Sequence, residues 1–374
     1  MNKTANSIAL VCDKNPCTSF GRLVSDLYKV LSPHYKTDIV WLTTPRYFPP
    51  EMKLPEGSHT INAKTIELGW WTFRSPLHRW LKENQPSRVL FLRPELGFLV
   101  PLVHRSLPKS WAGVLVADMF AETLYPHSLK YNLINRFFIS PTRFADGFIY
   151  ISEYTRNEAH RVMGLNRKDP VVGCPVDTAR FISQRDKQVS FKKRWGFDKY
   201  EGMCLNVSLD EPRKNIPTFF KIAKARPQLA FVRVGPFSPW MQKWLKENSV
   251  SNVFHYYGLA IDKLVELFAC ADLFIYPSFL EGFGMPPIEA LACGVPVAAA
   301  STSALKENLE GVTPLVYPPD NVEGYIEIVD RVQKGENVVD WDRGRSLIKK
   351  FTLDSFGERV RCYFKSLSDT QIRK

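Results

Sequence analysis

Short aliphatic or β-branched runs alternate with stretches of helical period along most of the chain. In the first half the runs Ser7–Asp13, Asp38–Thr43, Val89–Arg93, Gly113–Ala117 and Gly147–Ser152 read as strands. Between the first two, Arg22–Ser32 places Leu23, Leu27, Val30 and Leu31 at i, i+4, i+7 and i+8, one face of a helix. The second half restarts the rhythm, with strands expected over Met203–Val207, Leu229–Val234, Leu273–Tyr276, Val295–Ala299 and Pro314–Tyr317. Leu264, Leu267 and Phe268 give a helical face before the third of these. Such alternation predicts an α/β fold with parallel sheets. The polar stretch Asp177–Lys199 carries no strong strand signal and reads as a linker. Two similar domains, 1–182 and 183–352, with a cleft between them are therefore expected, followed by a final segment, 353–374. Its helix, Asp354–Leu367, gathers Phe356, Val360, Tyr363 and Phe364 on one face, so it should pack back on another element, the N-terminal domain being the candidate.

Composition narrows the class without naming a function. The 374 residues are enough for two ordinary domains, and 45% hydrophobic with 24% charged residues is a globular balance that excludes a disordered chain. The early apolar stretch Ile8–Cys12 is too short for a signal peptide or a membrane span. Seven cysteines, at 12, 17, 174, 204, 270, 293 and 362, form neither a CxxC pair nor a Cys/His cluster. Neither a disulfide framework nor a metal site is expected, and a reducing cytoplasmic setting fits. The net charge of +12 leans toward the first half, where residues 1–184 hold 23 Lys/Arg against 15 Asp/Glu. That field attracts anionic partners such as phosphorylated small molecules, lipid headgroups or nucleic acid, or it serves solubility alone. Charge is the only feature that points to nucleic acid, and no such partner is expected.

The chemistry concentrates after the strand Leu273–Tyr276. There Glu281-Gly282-Phe283-Gly284-Met285-Pro286-Pro287 feeds a helix that Gly294 should end. A glycine loop running into a helix N-terminus at the carboxyl end of a parallel strand suits phosphate. Glu281 at the strand end and Glu289 one turn into the helix could grip the hydroxyls of a sugar or ribose. They could equally be solvated acids favoured by the helix dipole, or the carboxylate pair of a glycosidase, which would not need the glycine loop. After the strand Met203–Val207 comes Ser208-Leu209-Asp210-Glu211-Pro212-Arg213-Lys214-Asn215, whose Arg213 and Lys214 are placed to neutralise a diphosphate or to form a solvated basic turn. Residues 68–84 interleave Trp70, Trp71, Phe73 and Trp80 with Arg74, Arg79 and Lys82. That mixture fits a membrane interface or a lipid-linked ligand, or else core aromatics rimmed by cations.

In EGFGMPPIEALACGVPV the two glutamates are spaced E-x7-E, and the chain resembles the retaining family-4 glycosyltransferases of GT-B fold. Ser19-Phe20-Gly21 resembles that family's N-terminal glycine loop, FIYISEYTRNEAHR (148–161) the end of its first domain, and GCPVDTARF (173–181) its crossover. LDEPRKN (209–215) resembles the donor-phosphate loop, VRVGP (232–236) a glycine turn, and YGLAIDKLVELFACADLFIYPS (257–278) the approach to the signature. The resemblance implies two Rossmann-like domains, an acceptor-side one and a nucleotide-sugar one. It implies a retaining, metal-independent hexosyltransferase with no cofactor beyond the nucleotide diphosphate sugar as co-substrate. The acceptor would be a glycan or lipid-linked hydroxyl, reached in the cytoplasm or at a membrane surface through the basic first domain. By the same resemblance, Arg213 and Lys214 meet the diphosphate and Glu281 the donor sugar, with the amides of Phe283, Gly284 and Met285 beside Gly282. Glu289 holds the ribose, Gly258 and Leu259 lie near the base, and Gly235 and Gly21 near the donor. Two departures stand out. Ser208 or Leu209 occupies the place of a family arginine, and Ala117-Asp118 the place of a His-Asp pair, which leaves Asp118 without its histidine and admits a non-catalytic nucleotide-sugar or glycan-binding module as the alternative.

Overall fold

A computed structural model describes residues 6–14, 19–43, 54–62, 72–119, 124 and 127–367. The chain divides into two compact units, Met1–Pro175 with Leu353–Lys374, and Val176–Thr352. The crossover thus falls at Pro175/Val176, a few residues before the expected 182/183.

In the first unit six strands, β1 (Ser7–Cys12), β2 (Lys36–Thr43), β3 (Ser58–Asn62), β4 (Arg88–Phe91), β5 (Trp111–Val116) and β6 (Gly147–Tyr150), form one parallel sheet. Its order is β3-β2-β1-β4-β5-β6. Strands covered on both faces read as unbroken apolar runs, and β1, SIALVC, is buried at every position. The exception is β3, SHTIN, an edge strand with only Ile61 buried, which explains why its sequence carries no strand signal. The helix Ser19–Leu31 buries Leu23, Val24, Leu27 and Leu31. Against it lies the last helix, Leu353–Ser366, with Phe356, Val360 and Phe364 fully buried. Phe364 meets the Trp111 ring edge-on at 5.8 Å, and Arg359 Nε donates to the Val172 carbonyl at 2.8 Å, so the C-terminal helix belongs to this unit.

Of the aromatic and basic stretch 68–84, Trp70 and Trp71 lie outside the described residues. Phe73 and Trp80 are core side chains around the helix Arg74–Asn84, while Arg79 and Lys82 point outward. The described aromatics of this segment are therefore interior, with cations at the rim.

The second unit repeats the plan with β7 (Met203–Val207), β8 (Ala230–Val234), β9 (Val253–Tyr256), β10 (Leu273–Tyr276), β11 (Val297–Ala300) and β12 (Leu315–Val316). Its order, β12-β11-β10-β7-β8-β9, read from the other edge is the same 3-2-1-4-5-6 arrangement. Here too the unpredicted strand, β9, is a half-exposed edge. The segment expected as a linker is structured: Gln188–Trp195 is a helix with Phe191 buried. It is tied to the rest of the unit by Lys192 Nζ on Asp272 at 2.7 Å and Trp195 Nε1 on Glu266 at 3.1 Å. Its polar residues are spent on these bonds, which is why the apolar pattern is weak. In such sheets ligands bind where the winding reverses, outside the carboxyl ends of the strands. That point lies between β1 and β4 in the first unit and between β7 and β10 in the second.

Candidate active site

Beyond β7 and β10, paired through Leu273 with Cys204 and Phe274 with Leu205, the chain enters the loops 208–215 and 277–284. Pro212–Lys214 makes one 3-10 turn and Asn215 follows with φ +52°, a conformation asparagine tolerates. The Asn215 amide donates to the carbonyls of Pro277 and Pro319, both at 3.0 Å, and its oxygen accepts from Thr218. The Ser278 hydroxyl and the Phe279 amide both donate to the Arg213 carbonyl, at 2.9 and 2.7 Å. The two loops are thus sewn into one body.

The glycine loop is fixed from the opposite side. The Glu281 amide donates to Ser303 Oγ at 2.9 Å, and Asn308 Nδ2 to the Phe283 carbonyl at 2.8 Å. Gly284, at φ +86°, precedes the helix Met285–Ala292, and a Cβ there would stand 2.5 Å from Leu305 Cδ2. Both backbone and space require glycine. Because Pro286 and Pro287 have no N–H, the first turn of this helix offers few amides of its own.

Glu281 is 6% exposed and Lys214 7%. Lys214 Nζ donates to Glu281 Oε1 at 2.6 Å and to the Tyr276 hydroxyl at 2.9 Å. Arg213 Nη1 donates to Glu281 Oε2 at 3.2 Å and to the Leu280 carbonyl at 3.0 Å, while its Nε lies 2.6 Å from Glu211 Oε2. Burial works to raise the Glu281 pKa, but Lys214 and Arg213 outweigh it and hold it below the ordinary carboxylate value. Burial pulls Lys214 below the ordinary lysine value although Glu281 opposes this. Tyr276 is pushed well up by burial and by the negative charge of Glu281. Glu289, 3% exposed, lies on the helix behind the loop.

The other residues that the resemblance singles out in this unit sit on the same carboxyl edge. Gly235 follows β8 at φ +147°, where a Cβ would fall 2.0 Å from the Ser208 carbonyl oxygen. Gly258, exposed, and Leu259, half-buried, follow β9. One residue there escapes the sequence reading: Arg233, fully buried on β8. Its guanidinium donates to the carbonyls of Ser208 and Pro236, both at 3.0 Å, tying the 208–215 loop to the turn at 235–238. Burial lowers its pKa to about 10, against Asp210. The available signal was a single charge inside the apolar run LAFVRV.

In the first unit, Asp118 is half-buried just beyond β5, and Gly21 is buried in the first turn of Ser19–Leu31, the loop 15–18 before it lying outside the described residues. At the switch point Arg93 Nη1 meets Asp13 at 2.9 Å, and its Nη2 meets Glu95. Burial opposes the Arg93 charge, yet Asp13, Glu95 and Asp118 together raise its pKa. Among the described residues no group of His, Cys, Asp and Glu is arranged to hold a metal ion.

Residues 188–343, which contain every residue described on this edge of the second unit, match the model of a family described as glycosyl transferases group 1. Residues 188–343 of the second unit are thus similar to the group 1 glycosyl transferases. O-antigen chain mannosyltransferase B of Escherichia coli is 32% identical over 133 residues, 33% of this chain and 35% of that protein. The chain thus spans about a third of that relative's length. The GDP-mannose-dependent alpha-(1-6)-phosphatidylinositol monomannoside mannosyltransferase of Mycolicibacterium smegmatis is 29% identical over 279 residues, 69% of this chain and 70% of that one. Beyond the matched residues, the fold itself has solved counterparts. Sucrose-phosphate synthase from Thermosynechococcus elongatus superposes with a TM-score of 0.83 at 16% identity, covering 97% of this chain and 99% of that one. At this identity the likeness is one of fold, the two-domain GT-B fold.

Proposed function

We propose that the protein is a retaining hexosyltransferase, moving a hexose from a nucleotide diphosphate sugar to a hydroxyl of a glycan or lipid-linked acceptor. The observation that carries the reading is the buried Glu281–Lys214–Arg213 cluster, placed at the switch point beside the glycine loop. Two cations held by a carboxylate beside a glycine loop fit a phosphate that becomes more negative as its bond to sugar breaks. In that step the acceptor oxygen bonds to the anomeric carbon while the bond from that carbon to the β-phosphate oxygen breaks. The departing diphosphate takes the electron pair and the acceptor's proton, so no nucleophilic side chain and no metal is required. Glu289 holds the nucleotide ribose, and the sugar lies against Glu281, Gly282 and the amides beyond it. The GDP-mannose dependence of the Mycolicibacterium smegmatis relative favours GDP-mannose as donor.

A nucleotide-sugar panel in a thermal-shift assay tests the reading, because a ligand bound by the native state alone raises its melting temperature. One diphosphate sugar should stabilise the protein, GDP-mannose before UDP-glucose, and Glu289→Ala should weaken the effect. No shift with any nucleotide sugar overturns the proposal. Ala117, standing where the resemblance calls for histidine, favours a second reading, a binding module without turnover. Stabilisation by donor with neither hydrolysis nor transfer would select it.

A further inference from the structure

The helical segment 129–144 presents apolar side chains on two sides, where a helix packed on a core needs one. It runs from the α-helix Leu129–Ile134 through a π-helical turn, Asn135–Ile139, into a 3-10 turn, Ser140–Phe144. Ile134 and Phe138 pack against the first unit's core and Ile139 is buried within it. On the other side Leu129, Leu133 and Phe137, spaced i, i+4, i+8, are 74%, 48% and 50% exposed, and Phe144 is 54% exposed. These four and Leu124 are five of the twelve large hydrophobic side chains exposed among the described residues, gathered within positions 124–144. Between Thr123 and Ala145 the chain has no Asp or Glu, while Lys130, Arg136 and Arg143 are all exposed. The Lys130 ammonium and the Arg143 guanidinium lie 5.7 and 5.0 Å from the rings of Tyr131 and Phe144, placing cations beside aromatics as at a lipid headgroup boundary.

We propose that this face lies on an anionic lipid bilayer, Leu129, Leu133 and Phe137 entering the headgroup layer and Lys130, Arg136 and Arg143 meeting its phosphates. The charge pattern chooses the occupant. In a symmetric contact between two copies the same patch faces itself and sets these three cations against their own images, with no carboxylate in the segment to offset them. Among the described residues no helix is long and apolar enough to cross a membrane, so attachment through this face lies in the surface plane. The proposal shares with the proposed function an acceptor held at a membrane, and it relocates the contact from 68–84 to this segment.

Flotation of the full chain with vesicles of phosphatidylcholine, alone or mixed with phosphatidylglycerol, tests it at low and high salt. Binding is expected to the mixed vesicles only, and to fall with salt. Lys130→Gln and Arg136→Gln should each weaken it about fivefold, and Leu129→Ser/Leu133→Ser/Phe137→Ser at least about tenfold. Because these side chains are exposed, the triple variant should keep its melting temperature and its shift with a soluble nucleotide sugar. No flotation of the wild type, equal flotation of the triple variant, or a dimer that the triple substitution dissociates each overturns the proposal. Flotation without any nucleotide-sugar shift overturns the transferase reading and leaves this one standing.

Discussion

Replacing Glu281 by glutamine should unsettle the second unit before any ligand is considered. The carboxylate has both oxygens engaged, Oε1 by Lys214 at 2.6 Å and Oε2 by Arg213 at 3.2 Å, in surroundings that leave Glu281 and Lys214 almost no water. Removing one partner of a buried ion pair costs about 3–5 kcal/mol, because the remaining charge stays desolvated. Glutamine keeps the shape and one acceptor, and Lys214, its pKa already lowered by burial, can shed its proton, so the lower end, about 3 kcal/mol, applies. In a unit of this size each kcal/mol moves the melting temperature by about 2–4 °C, which gives a loss of about 6–12 °C.

The pH dependence follows from the same two groups. Glu281 has a folded pKa below its ordinary value of 4.5, so its contribution is complete above that value and fades as pH falls through the folded one. Lys214 has a folded pKa below its ordinary 10.5, so the unfolded chain binds the extra proton and stability rises as pH climbs through that window. In Glu281→Gln the second effect grows, and its gap to wild type should narrow toward alkaline pH. Scanning calorimetry of both proteins without ligand, near neutrality and near pH 10, reads it out. A neutral-pH loss below about 2 °C would mean that the cluster is effectively solvated and Glu281 is free to serve a ligand alone.

Three further outcomes are expected. Glu211 pairs with Arg213 and is more exposed than Glu281, so under the proposed function it would compete with a phosphate oxygen for that guanidinium. Glu211→Gln should tighten nucleotide binding severalfold by calorimetric titration, and weaker binding would refute this. Gly284→Ala meets both a positive φ and Leu305 at 2.5 Å, and should cost about 1–2 kcal/mol in urea unfolding; no loss would show the loop can relocate. Arg233→Met leaves the Ser208 and Pro236 carbonyls without its guanidinium, worth about 1–3 kcal/mol. It should also raise KM for donor, with Arg233→Lys intermediate; an unchanged KM would limit Arg233 to the fold.

What could be read from the sequence depended on whether burial leaves a trace in residue type. Strands β7 and β10 are covered on both faces, so MCLNV and LFIY are nearly all apolar and their ends coincide with the run. The edges β3 and β9 are wet on one side and lose that trace. At the site, spacing alone puts Glu281 and Glu289 at the mouth of one loop. It does not reveal that Glu281 is gripped by Lys214 from 67 positions away, because that contact exists only once β7 and β10 become neighbours. Arg233 obeys the opposite logic. In a strand buried on both faces a charge has no outward position, so it must bend along the strand to carbonyls at its end. A lone arginine within an apolar run near a glycine turn therefore marks a brace for the adjacent loops, and here those loops carry Arg213 and Lys214.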